Sequence, residues 1–398
     1  MRKIRNLLFF SFILAWCLCS LPPYNASIAA LPGNPHMGVW VTVFSPEKIL
    51  YSKENADRLI ASCKEAGIDH VYVQVYRAGK AYYDSRITDK APYLKIQESS
   101  KTDILDYIIK KAKKNDIKIY AWINLLSLAR NKDAFILLKF GDEVLTRDQY
   151  GRTPLVDNKK DELDKYFIRE NQLFLEPGNE KVRKHLTEIT EEIIRRYPEL
   201  DGLHLDYIRY PSVVPFAPGS RFTPPGVGYG YGKENIENFR KATGLDVKTM
   251  AGSRENFFKW DSWRRDQVTA MVREISDKVR KIAPDKEISC AIVPSVERTY
   301  QVNFQDWTRW LREKYVDWVV AMSYTDDPQQ MKLYSRSMLL PQFEEKIYIG
   351  VGAFLLKGKA EIFKEELDSL KGMNPGGIVI FSYDDIAQDP ELRKSLVH

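Results

Sequence analysis

The stretch LDGLHLDYIRYP, residues 200–211, decides how the rest of the chain is interpreted. Its leucines alternate with His204 and Asp206, a period of two that is typical of a strand with two different faces. A buried carboxylate is costly unless it is hydrogen-bonded, paired or used in chemistry. Asp206 ends the strand just before Arg209, so it would face the catalytic end of a parallel α/β barrel. The alternative is a structural role, in which Asp206 accepts hydrogen bonds from Arg209 or from a backbone turn.

Eight β-like segments alternate with helical patterns along the chain. The segments are MGVWVTVF (37–44), IDHVYVQVY (68–76), IKIYAWINL (117–125), the opening stretch, KEISCAIVPS (286–295), VDWVVAMSYTDD (316–327), KIYIGVGAF (346–354) and GGIVIFSYDD (376–385). Apolar residues at helical spacing predict helices over 53–67, 102–116, 179–198, 260–282, 307–311 and 359–372. This alternation predicts a parallel sheet covered by helices, and eight units predict a single (β/α)8 TIM barrel over residues 31–398. An open doubly wound sheet is the alternative, but no Gly-rich phosphate loop follows the first strand.

Two long segments, at about 141–177 and 211–259, interrupt the barrel pattern. The second opens with PSVVPFAPGSRFTPPGVGYGYG (211–232), whose prolines and glycines exclude a helix or a central strand. Loops of this length inside a compact domain are usually lids or binding loops. We therefore expect both segments to shape the substrate site.

The N-terminus, residues 1–30, has the three parts of a secretory signal peptide. A basic start, MRKIR, precedes the apolar stretch LLFFSFILAWCLCS and the small residues Ala29 and Ala30, near which we expect cleavage. The apolar stretch is short for a transmembrane helix, and Cys17 and Cys19 lack the small preceding residues of a lipoprotein signal. We expect an exported protein, periplasmic or extracellular, with no stable membrane insertion after cleavage. An uncleaved signal that anchors a scaffold protein is the alternative.

Composition narrows the classes of partner. Hydrophobic residues make up 44% of the chain and charged residues 29%, which is typical of a globular protein. The formal net charge of +6 is weak and evenly spread, so nucleic acid is not expected as a partner. Beyond the signal the cysteines are Cys63 and Cys290, too scattered for a disulfide framework or a metal site. No cofactor and no metal are expected, and the oligomeric state is left open.

In a barrel, the residues at the carboxyl ends of the strands share one pocket. The candidates are Trp40, Thr42, Gln74, Tyr76, Arg77, Trp122, Asn124, His204, Asp206, Arg209, Tyr210, Ser295, Glu297, Tyr324, Asp326, Asp327, Ser382, Tyr383, Asp384 and Asp385. The set combines carboxylates, amides, arginine and aromatic rings, and it lacks a nucleophilic serine or cysteine beside a base. Aromatic faces stack on sugar rings, and two carboxyl groups across a bond are what glycoside hydrolysis requires.

Several of these residues also have a structural interpretation. Trp40 and Trp122 can fill the barrel interior. The Asp384–Asp385 pair can cap the last helix, and we favour that interpretation. The Asp326–Asp327 pair precedes a proline and can form a turn. Asp206 is harder to explain in this way, because it follows an inward-facing histidine and precedes a long aromatic loop.

Taken in this order, the strand segments resemble the glycosyl hydrolase-like family 10, bacterial barrel proteins distantly similar to the α-amylase superfamily. The most specific part is Asp201-Gly-Leu-His-Leu-Asp206-Tyr-Ile-Arg-Tyr-Pro211, and the resemblance covers nearly the whole chain after the signal. It implies a TIM barrel that hydrolyses glycosidic bonds. The family includes exported proteins, and some similar members cleave peptidoglycan glycan strands stripped of their stem peptides. The resemblance therefore implies an envelope polysaccharide as the substrate class.

The motif departs from two related patterns. α-Amylases carry an arginine two residues before the strand-four nucleophile, where this chain has His204. The strand-four signature of family 18 chitinases aligns Asp206 with its last aspartate, but Ile208 takes the place of the catalytic glutamate. The strand-six segment AMSYTDD resembles its chitinase counterpart, which implies that Tyr324 and Asp326 hold an acetamido group.

The first hypothesis is an exported glycoside hydrolase with two carboxylates. Asp206 acts as the nucleophile or stabilises the oxocarbenium-like centre, and Asp326, or less favourably Glu297, is the general acid with a pKa raised by burial. The residues expected to bind the polysaccharide are Trp40, Gln74, Arg77, Trp122, Asn124, His204, Arg209, Tyr210, Tyr324, Asp327 and Tyr383. The second hypothesis, motivated by the missing chitinase-type glutamate, is a non-catalytic glycan-binding protein on a barrel scaffold.

Overall fold

The structure is a computed structural model that describes residues 35–155, 167–168, 170–215, 228–247, 249 and 253–397. The chain divides into two units, Met1–Asn34 and Pro35–His398, and all the described residues belong to the second. The expected signal peptide at 1–30 lies outside the described residues. Within them, no helix has the length and apolar character needed to cross a bilayer.

Eight parallel strands form a closed barrel. They are β1 (His36–Val41), β2 (His70–Arg77), β3 (Lys118–Asn124), β4 (Gly202–Asp206), β5 (Glu287–Ile292), β6 (Trp318–Met322), β7 (Ile347–Gly352) and β8 (Gly377–Phe381). Each strand pairs with its neighbours in sequence, and β1 closes the barrel because Gly38 pairs with His70 on one side and Val379 on the other. The predicted (β/α)8 TIM barrel and its eight strands are confirmed.

Helices surround the barrel. They are α1 (Lys53–Glu65), α2 (Ala91–Ser100), α3 (Ile104–Lys113), α4 (Phe135–Phe140), α5 (Glu180–Arg196), α6 (Lys233–Thr243), α7 (Arg254–Ile282), α8 (Val296–Arg298), α9 (Trp307–Arg312), α10 (Pro328–Met338), α11 (Ala360–Met373), α12 (Tyr383–Gln388) and α13 (Pro390–Lys394). Helix α3 shows why the sequence folds this way. The Asp103 carboxylate caps its first turn by accepting from the Asp106 N–H, apolar residues cover one face, and lysines occupy the last turn.

Two buried layers hold the barrel together. The outer layer lies between strands and helices and is mainly aliphatic; it includes the free thiols of Cys63 on α1 and Cys290 on β5, both fully buried. The inner layer fills the barrel and consists of Trp40, Tyr72, Tyr120, Trp122, Trp318, Val320, Tyr348 and Val379. Side chains alternate along the strands, so one strand can contribute to both layers, as β1 does with Trp40 inside and Val39 and Val41 outside. The barrel interior is a packed core, and a ligand has to bind at the mouth where the strands end.

The structure adds helices that the sequence patterns did not predict, namely α2, α4, α6, α8, α10 and α13. Asp327, which predicted a turn, is the N-cap of α10, and Pro328 is its first residue. Helix α6 lies inside the segment 211–259 that was predicted to be a loop, because the Pro- and Gly-rich stretch ends at Gly232 and an amphipathic pattern follows. Helix α7 begins at Arg254, earlier than the predicted start at Trp260.

Candidate active site

Asp206 lies at the mouth, where the barrel strands end. It is 7% exposed, and both of its oxygens are hydrogen-bonded. The Trp122 indole Nε1 donates to Oδ2 at 3.0 Å, and the Tyr207 backbone N–H donates to Oδ1 at 2.6 Å. Trp122 is on the neighbouring strand β3, so strand pairing sets the position of the indole. Tyr207 has φ of 52°, and this left-handed turn directs the chain away from β4.

Burial dominates the electrostatics of Asp206. It raises the pKa of this carboxyl above its usual range, while the hydrogen bonds from Tyr207 and Trp122 and the charge of Arg209 act in the opposite direction. Tyr324 lies within electrostatic reach of Asp206, and burial together with that negative charge raises the pKa of Tyr324 well above its ordinary value. Asp206 therefore holds its proton more tightly than an exposed aspartate does.

Two amides form a polar pair beside Asp206. Asn124 ends β3 and pairs in register with Asp206. Its Oδ1 accepts from Gln74 Nε2 at 3.2 Å, and Gln74 Oε1 accepts from the Val43 N–H at 3.2 Å. Gln74 is thus engaged in joining three strand ends. The amide nitrogen of Asn124 has no hydrogen bond to any described residue, so Asn124 is the amide that can donate to a ligand.

Phe381, the last residue of β8, is the centre of an aromatic floor under the mouth. Four ring centroids lie 5.6–6.2 Å from its own, those of Trp40, Trp122, Tyr324 and Phe354. Trp40 and Trp122 are 2% and 5% exposed, so they fill the barrel and offer little ring surface to a sugar. Tyr324 and Phe381 are half-buried and Phe354 is exposed, so these rings are the ones that a ligand can reach.

The predicted acids at the ends of β5 and β6 do not have the expected surroundings. Asp326 is exposed, its carboxylate binds Lys359 Nζ at 2.5 Å, and this contact lowers its pKa. The expectation that burial raises the pKa of Asp326 is therefore wrong. Asp327 is exposed and caps α10 by accepting from Gln329 and Gln330 backbone N–H groups. Glu297 is exposed on the short helix α8 and is not buried either.

Arg209 takes part in a salt bridge that the sequence did not reveal. Its guanidinium donates to both oxygens of Glu170, at 2.6 and 3.2 Å, and Glu170 also accepts from the Ser212 N–H at 2.6 Å. Burial raises the pKa of Glu170, but the charge of Arg209 and the hydrogen bonds from Arg209 and Ser212 together outweigh burial and hold the pKa below its usual range. Arg209 is consequently neutralised, and it ties the loop after β4 to the segment before α5.

Tyr210 is part of a second hydrogen-bond network that stabilises the loop after β4. Its hydroxyl donates to Glu176 at 2.6 Å, and Glu176 is fully buried and also accepts from Thr146 Oγ1 at 2.9 Å and the Gly178 N–H at 3.1 Å. Tyr210 is 1% exposed, so it supports the loop and does not face a ligand. Gly232, where an added Cβ would lie 2.8 Å from Glu176, closes this network.

Two further predicted binding residues lie away from the mouth. His204 is fully buried in the barrel, with Nδ1 2.9 Å from Ser289 Oγ and its ring 4.5 Å from that of Tyr72. Burial lowers the pKa of His204 to about 3, so the imidazole is neutral. Tyr383 lies on α12 and packs into the outer layer near Cys63. Neither side chain can contact a substrate in this arrangement.

The acidic pair at 384–385 divides into a cap and a buried carboxyl. Asp385 accepts from the Ser382 N–H at 3.0 Å and the Ser382 hydroxyl at 2.8 Å, and together they form a capping box on α12, as favoured from the sequence. Asp384 accepts from the hydroxyls of Ser45 and Thr42 after β1. Burial raises the pKa of Asp384. The hydroxyl groups that donate to this carboxylate hold the side chain between β1 and β8.

Arg77, the last residue of β2, is half-buried at the mouth. Its guanidinium carbon lies 4.2 Å from the ring centroid of Phe44, which is 61% exposed. Arg77 is also within electrostatic reach of Tyr207, the residue that follows Asp206. The side chain thus lies at the mouth on a strand end, within electrostatic reach of the residue that follows Asp206.

One group of side chains among the described residues has the chemistry of a metal site, and it lies at the opposite end of the barrel. His36 Nδ1 and His70 Nδ1 lie 2.6 and 2.9 Å from the two oxygens of Asp69, at the start of β1 and β2. The hydrogen bond with Asp69 raises the pKa of His36, and the same contacts lower that of Asp69. These groups already satisfy one another, and they are remote from Asp206.

The sequence missed Glu170, Glu176, Tyr207 and Phe381. Phe381 carried a signal, because it ends the eighth strand on the same alternation that placed Trp40 and Trp122. Glu170 and Glu176 carried none, since both come from the long segment before α5 and meet Arg209 and Tyr210 only through the fold.

A family model described as "Glycosyl hydrolase-like 10" matches residues 36–352. The chain belongs to this family. Among curated relatives, glycosyl hydrolase DigH of Escherichia coli K12 is 24% identical over 274 residues, which cover 65% of this chain and 55% of DigH. Glycosyl hydrolase YngK of Bacillus subtilis is 22% identical over 289 residues, covering 68% of this chain and 49% of YngK. The chain therefore spans about half the length of the curated relatives it matches.

Solved structures confirm the barrel architecture. The glycoside hydrolase domain of PgaB (BpsB) from Bordetella bronchiseptica superimposes with a TM-score of 0.66 at 14% identity, over 91% of this chain and 98% of that domain. A β-galactosidase from Marinomonas ef1 gives a TM-score of 0.55 at 11% identity, over 91% of this chain and 58% of the enzyme. At such identities the likeness shows the fold alone.

Proposed function

We propose that this chain hydrolyses glycosidic bonds of a polysaccharide and that Asp206 transfers the proton. The observation that carries the proposal is a buried carboxyl of raised pKa at the mouth of a glycoside hydrolase-like barrel, held by Trp122 and bordered by the reachable rings of Tyr324 and Phe381. A carboxyl whose pKa is raised by burial holds its proton to a higher pH than an exposed one does, which suits a group that protonates the leaving glycosidic oxygen. The sequence alone favoured a nucleophile or stabiliser at this position.

The attacking group need not be a second carboxylate. Asp326 and Glu297 are exposed, and Glu170 is held by Arg209. In substrate-assisted glycosidases the acetamido oxygen of an N-acetylated sugar attacks its own anomeric carbon. The Tyr324 hydroxyl has no hydrogen bond to any described residue and lies near Asp206, so it is free to orient such a group.

We propose peptide-free peptidoglycan glycan strands as the substrate. Every sugar in these strands is N-acetylated, which suits the mechanism above, and the half-buried aromatic rings at the mouth suit the apolar face of a pyranose ring. Asn124 pairs in register with Asp206, and its amide nitrogen, which has no partner among the residues that the structure describes, is positioned to donate to a hydroxyl or acetamido oxygen.

The test is release of soluble saccharides from these strands by the wild type, Asp206→Asn and Asp201→Asn. Asp201 is a matched control, because it lies on the same strand segment, its pKa is also raised by burial, and it accepts from the Ile119 N–H at the opposite end of the barrel. We expect kcat to fall by roughly 10²–10⁴-fold in Asp206→Asn, the usual contribution of a general acid. Asp201→Asn should keep kcat.

Equal loss in both variants would show that the barrel is damaged and that Asp206 has no special role. Release of saccharides by Asp206→Asn at the wild-type rate would refute the assignment. Circular dichroism of each variant, measured beside the assay, separates loss of chemistry from loss of fold.

A second function, glycan binding without turnover, is favoured by one specific observation. The two carboxyls that the sequence nominated as general acid, Asp326 and Glu297, are both exposed. Three results together would identify a binding protein. The wild type binds the strands, it releases no saccharides from them or from chitin oligomers and α-glucans, and the Asp206→Asn variant binds the strands with the same affinity.

We propose, finally, that the protein is exported and that the segment 1–30 is removed. The basic start and the apolar stretch that follows it support this proposal. Mass spectrometry of the protein recovered from the periplasm or medium should find a chain that begins near residue 31. A chain that retains Met1 and sediments with membranes would indicate an anchor.

A further inference from the structure

One arginine at the mouth has no counter-ion among the described residues. Arg77 has no ion pair and no side-chain hydrogen bond within that part of the chain, and its contact is the ring of Phe44 at 4.2 Å. A guanidinium is charged at all ordinary pH values and carries five donors. Arg77 is half-buried, so water can accept from its guanidinium, and a ligand carboxylate that replaces this water gains a charge-assisted pair.

Arg209 shows what a structural arginine looks like at the same mouth. It donates to both oxygens of Glu170 and to the Tyr210 carbonyl, and it is 9% exposed. The positive charge of Arg209 is therefore neutralised by the negative charge of Glu170. The positive charge of Arg77 has no partner among the described residues, and it lies within electrostatic reach of Tyr207, the residue after Asp206.

The backbone holds Arg77 in place. Arg77 ends β2 and pairs in register with Lys80 across a tight turn, in which Ala78 and Gly79 both have positive φ. The Asn131 side chain fixes this turn by donating to the Ala78 carbonyl at 2.8 Å. A guanidinium on a rigid strand end, flat against an aromatic ring, loses little freedom on binding a planar carboxylate.

We propose that Arg77, supported by Phe44, binds a carboxylate on the sugar chain and makes the site selective for acidic glycans. This inference rests on the proposed function. In peptidoglycan the lactyl group of each muramic residue ends in a free carboxylate once the stem peptide is gone, and in an amide while the peptide is attached. An amide is neutral and cannot form the bidentate charge-assisted pair. The reaction that supplies this substrate is therefore hydrolysis of the lactyl–peptide amide bond.

The experiment compares two forms of the same peptide-free strands. In one the lactyl carboxylates are intact; in the other they are converted to methylamides by carbodiimide coupling. For the full-length wild type we expect KM to be about tenfold lower on the acidic form, with similar kcat, as a charge-assisted pair that binds substrate and transition state alike would give. Added salt should reduce this preference, because it screens the pair.

Variants assign the preference to one residue. Arg77→Gln should process both forms with the KM that the wild type shows on methylamidated strands, and Arg77→Lys should recover part of the preference. Lys80→Gln is the matched control, since it removes a positive charge three positions away whose partner is Asp89 at 3.6 Å. It should keep the wild-type preference.

The substrate comparison needs no variant, so misfolding of Arg77→Gln cannot obscure it. Equal KM for both forms with the wild type, or an equal loss on both forms in Arg77→Gln, would overturn the proposal. Equilibrium binding of the two forms, followed by calorimetry, gives a readout that does not depend on turnover. Preferential binding of the acidic form without any hydrolysis would support the Arg77 site and refute the proposed catalysis.

Discussion

The hydrogen bond from Trp122 to Asp206 is one of the contacts, with those of Tyr207 and Arg209, that limit how far burial raises the pKa of the candidate acid. Trp122→Phe removes the indole donor while keeping an aromatic ring. We expect the pKa of Asp206 to rise further, because less hydrogen bonding then favours the ionised form. If Asp206 donates a proton, the alkaline limb of the kcat/KM profile moves to higher pH, by roughly one unit for a lost bond of about 1.4 kcal/mol.

Trp318→Phe is the control for this measurement. Trp318 Nε1 donates to the Tyr72 hydroxyl at 3.2 Å inside the barrel, so the substitution costs a comparable bond without touching a carboxylate. An alkaline limb that stays in place in Trp122→Phe, or one that moves equally in Trp318→Phe, would contradict the role assigned to the Trp122–Asp206 bond.

Glu366 on α11 is a buried carboxyl that the proposed mechanism does not use. It is 0% exposed, neither oxygen has a hydrogen-bond partner among the described residues, and burial raises its pKa from 4.5 to about 8. An unfolded chain releases this proton near pH 4.5, whereas the folded protein keeps it to about pH 8. The tighter binding of this proton in the folded protein therefore adds its full contribution to the free energy of unfolding below pH 4.5. This contribution is lost as the pH rises to about 8.

Glu366→Gln should remove this pH dependence. Each unit of difference between the folded and unfolded pKa corresponds to about 1.4 kcal/mol, so the wild type should lose up to a few kcal/mol of unfolding free energy between pH 5 and 8 that the variant does not lose. Urea unfolding at several pH values measures this difference in slope. Parallel pH curves for the two proteins would show that Glu366 does not titrate in this way.

At the residue scale, the sequence placed the central carboxyl correctly but assigned too many ligands. Asp206, Asn124 and Tyr324 lie at the mouth because strand alternation places them there, whereas Arg77 follows an irregularity in β2 between Gln74 and Tyr76 that interrupts the alternation. His204 shares that alternation but lies one layer deeper, and Tyr210 turns away towards Glu176. Depth along a strand and the partners supplied by distant loops are consequences of the closed fold, and a local pattern does not encode them.

At the scale of elements, the loop after β4 depends on the Arg209–Glu170 salt bridge. The two side chains are 10% and 18% exposed, so each charge is largely removed from water. We expect Arg209→Met or Glu170→Gln alone to destabilise the protein more than the double substitution does, because each single change leaves a buried charge unpaired. The coupling energy should exceed 1 kcal/mol, within the ~0.5–3 kcal/mol range of contacting residues.

The surface pair Arg195–Glu191 on α5 is a suitable comparison. It has an i, i+4 spacing, and its arginine is 61% exposed. A double-mutant cycle on such a pair should give about 0.3–0.5 kcal/mol. If urea unfolding yields a coupling of this size for Arg209–Glu170 as well, the loop is held mainly by the Glu176 network.

The strands were predictable because buried β segments carry a strong apolar signal. The missed helices are those whose apolar pattern is short or hidden. Helix α4 is six residues long, α10 begins at an Asp-Pro pair that also predicts a turn, and α6 follows a long Pro- and Gly-rich stretch. The tertiary contacts of α6, such as Asn235 with Gly230 and Trp263, stabilise it in place.

For the whole molecule, the two ends of the barrel are chemically distinct. The start of the strands carries ion pairs and hydrogen bonds that satisfy one another, such as His36–Asp69–His70 and Tyr120–Glu287–Lys118. The other end carries Asp206 and Tyr324, whose pKa values are raised, and Asn124 and Arg77, whose side-chain donors are not all engaged by the part of the chain that the structure describes. In a (β/α)8 barrel the first end serves stability and the second serves chemistry.

The two thiols in the outer layer make the opening of this barrel measurable. Cys63 and Cys290 are fully buried, and burial raises the pKa of Cys63 to about 12, so neither should react with a disulfide reagent until it is exposed. In a Cys17→Ser, Cys19→Ser background, the rate at which each thiol is modified reports the free energy of the opening that exposes it. Helix α1 can leave the barrel without breaking a strand pair, whereas β5 is hydrogen-bonded to β4 and β6 on both sides. We expect Cys63 to be modified first, as mass spectrometry of timed samples would show, and equal rates would mean that the helical shell and the barrel open as one cooperative unit.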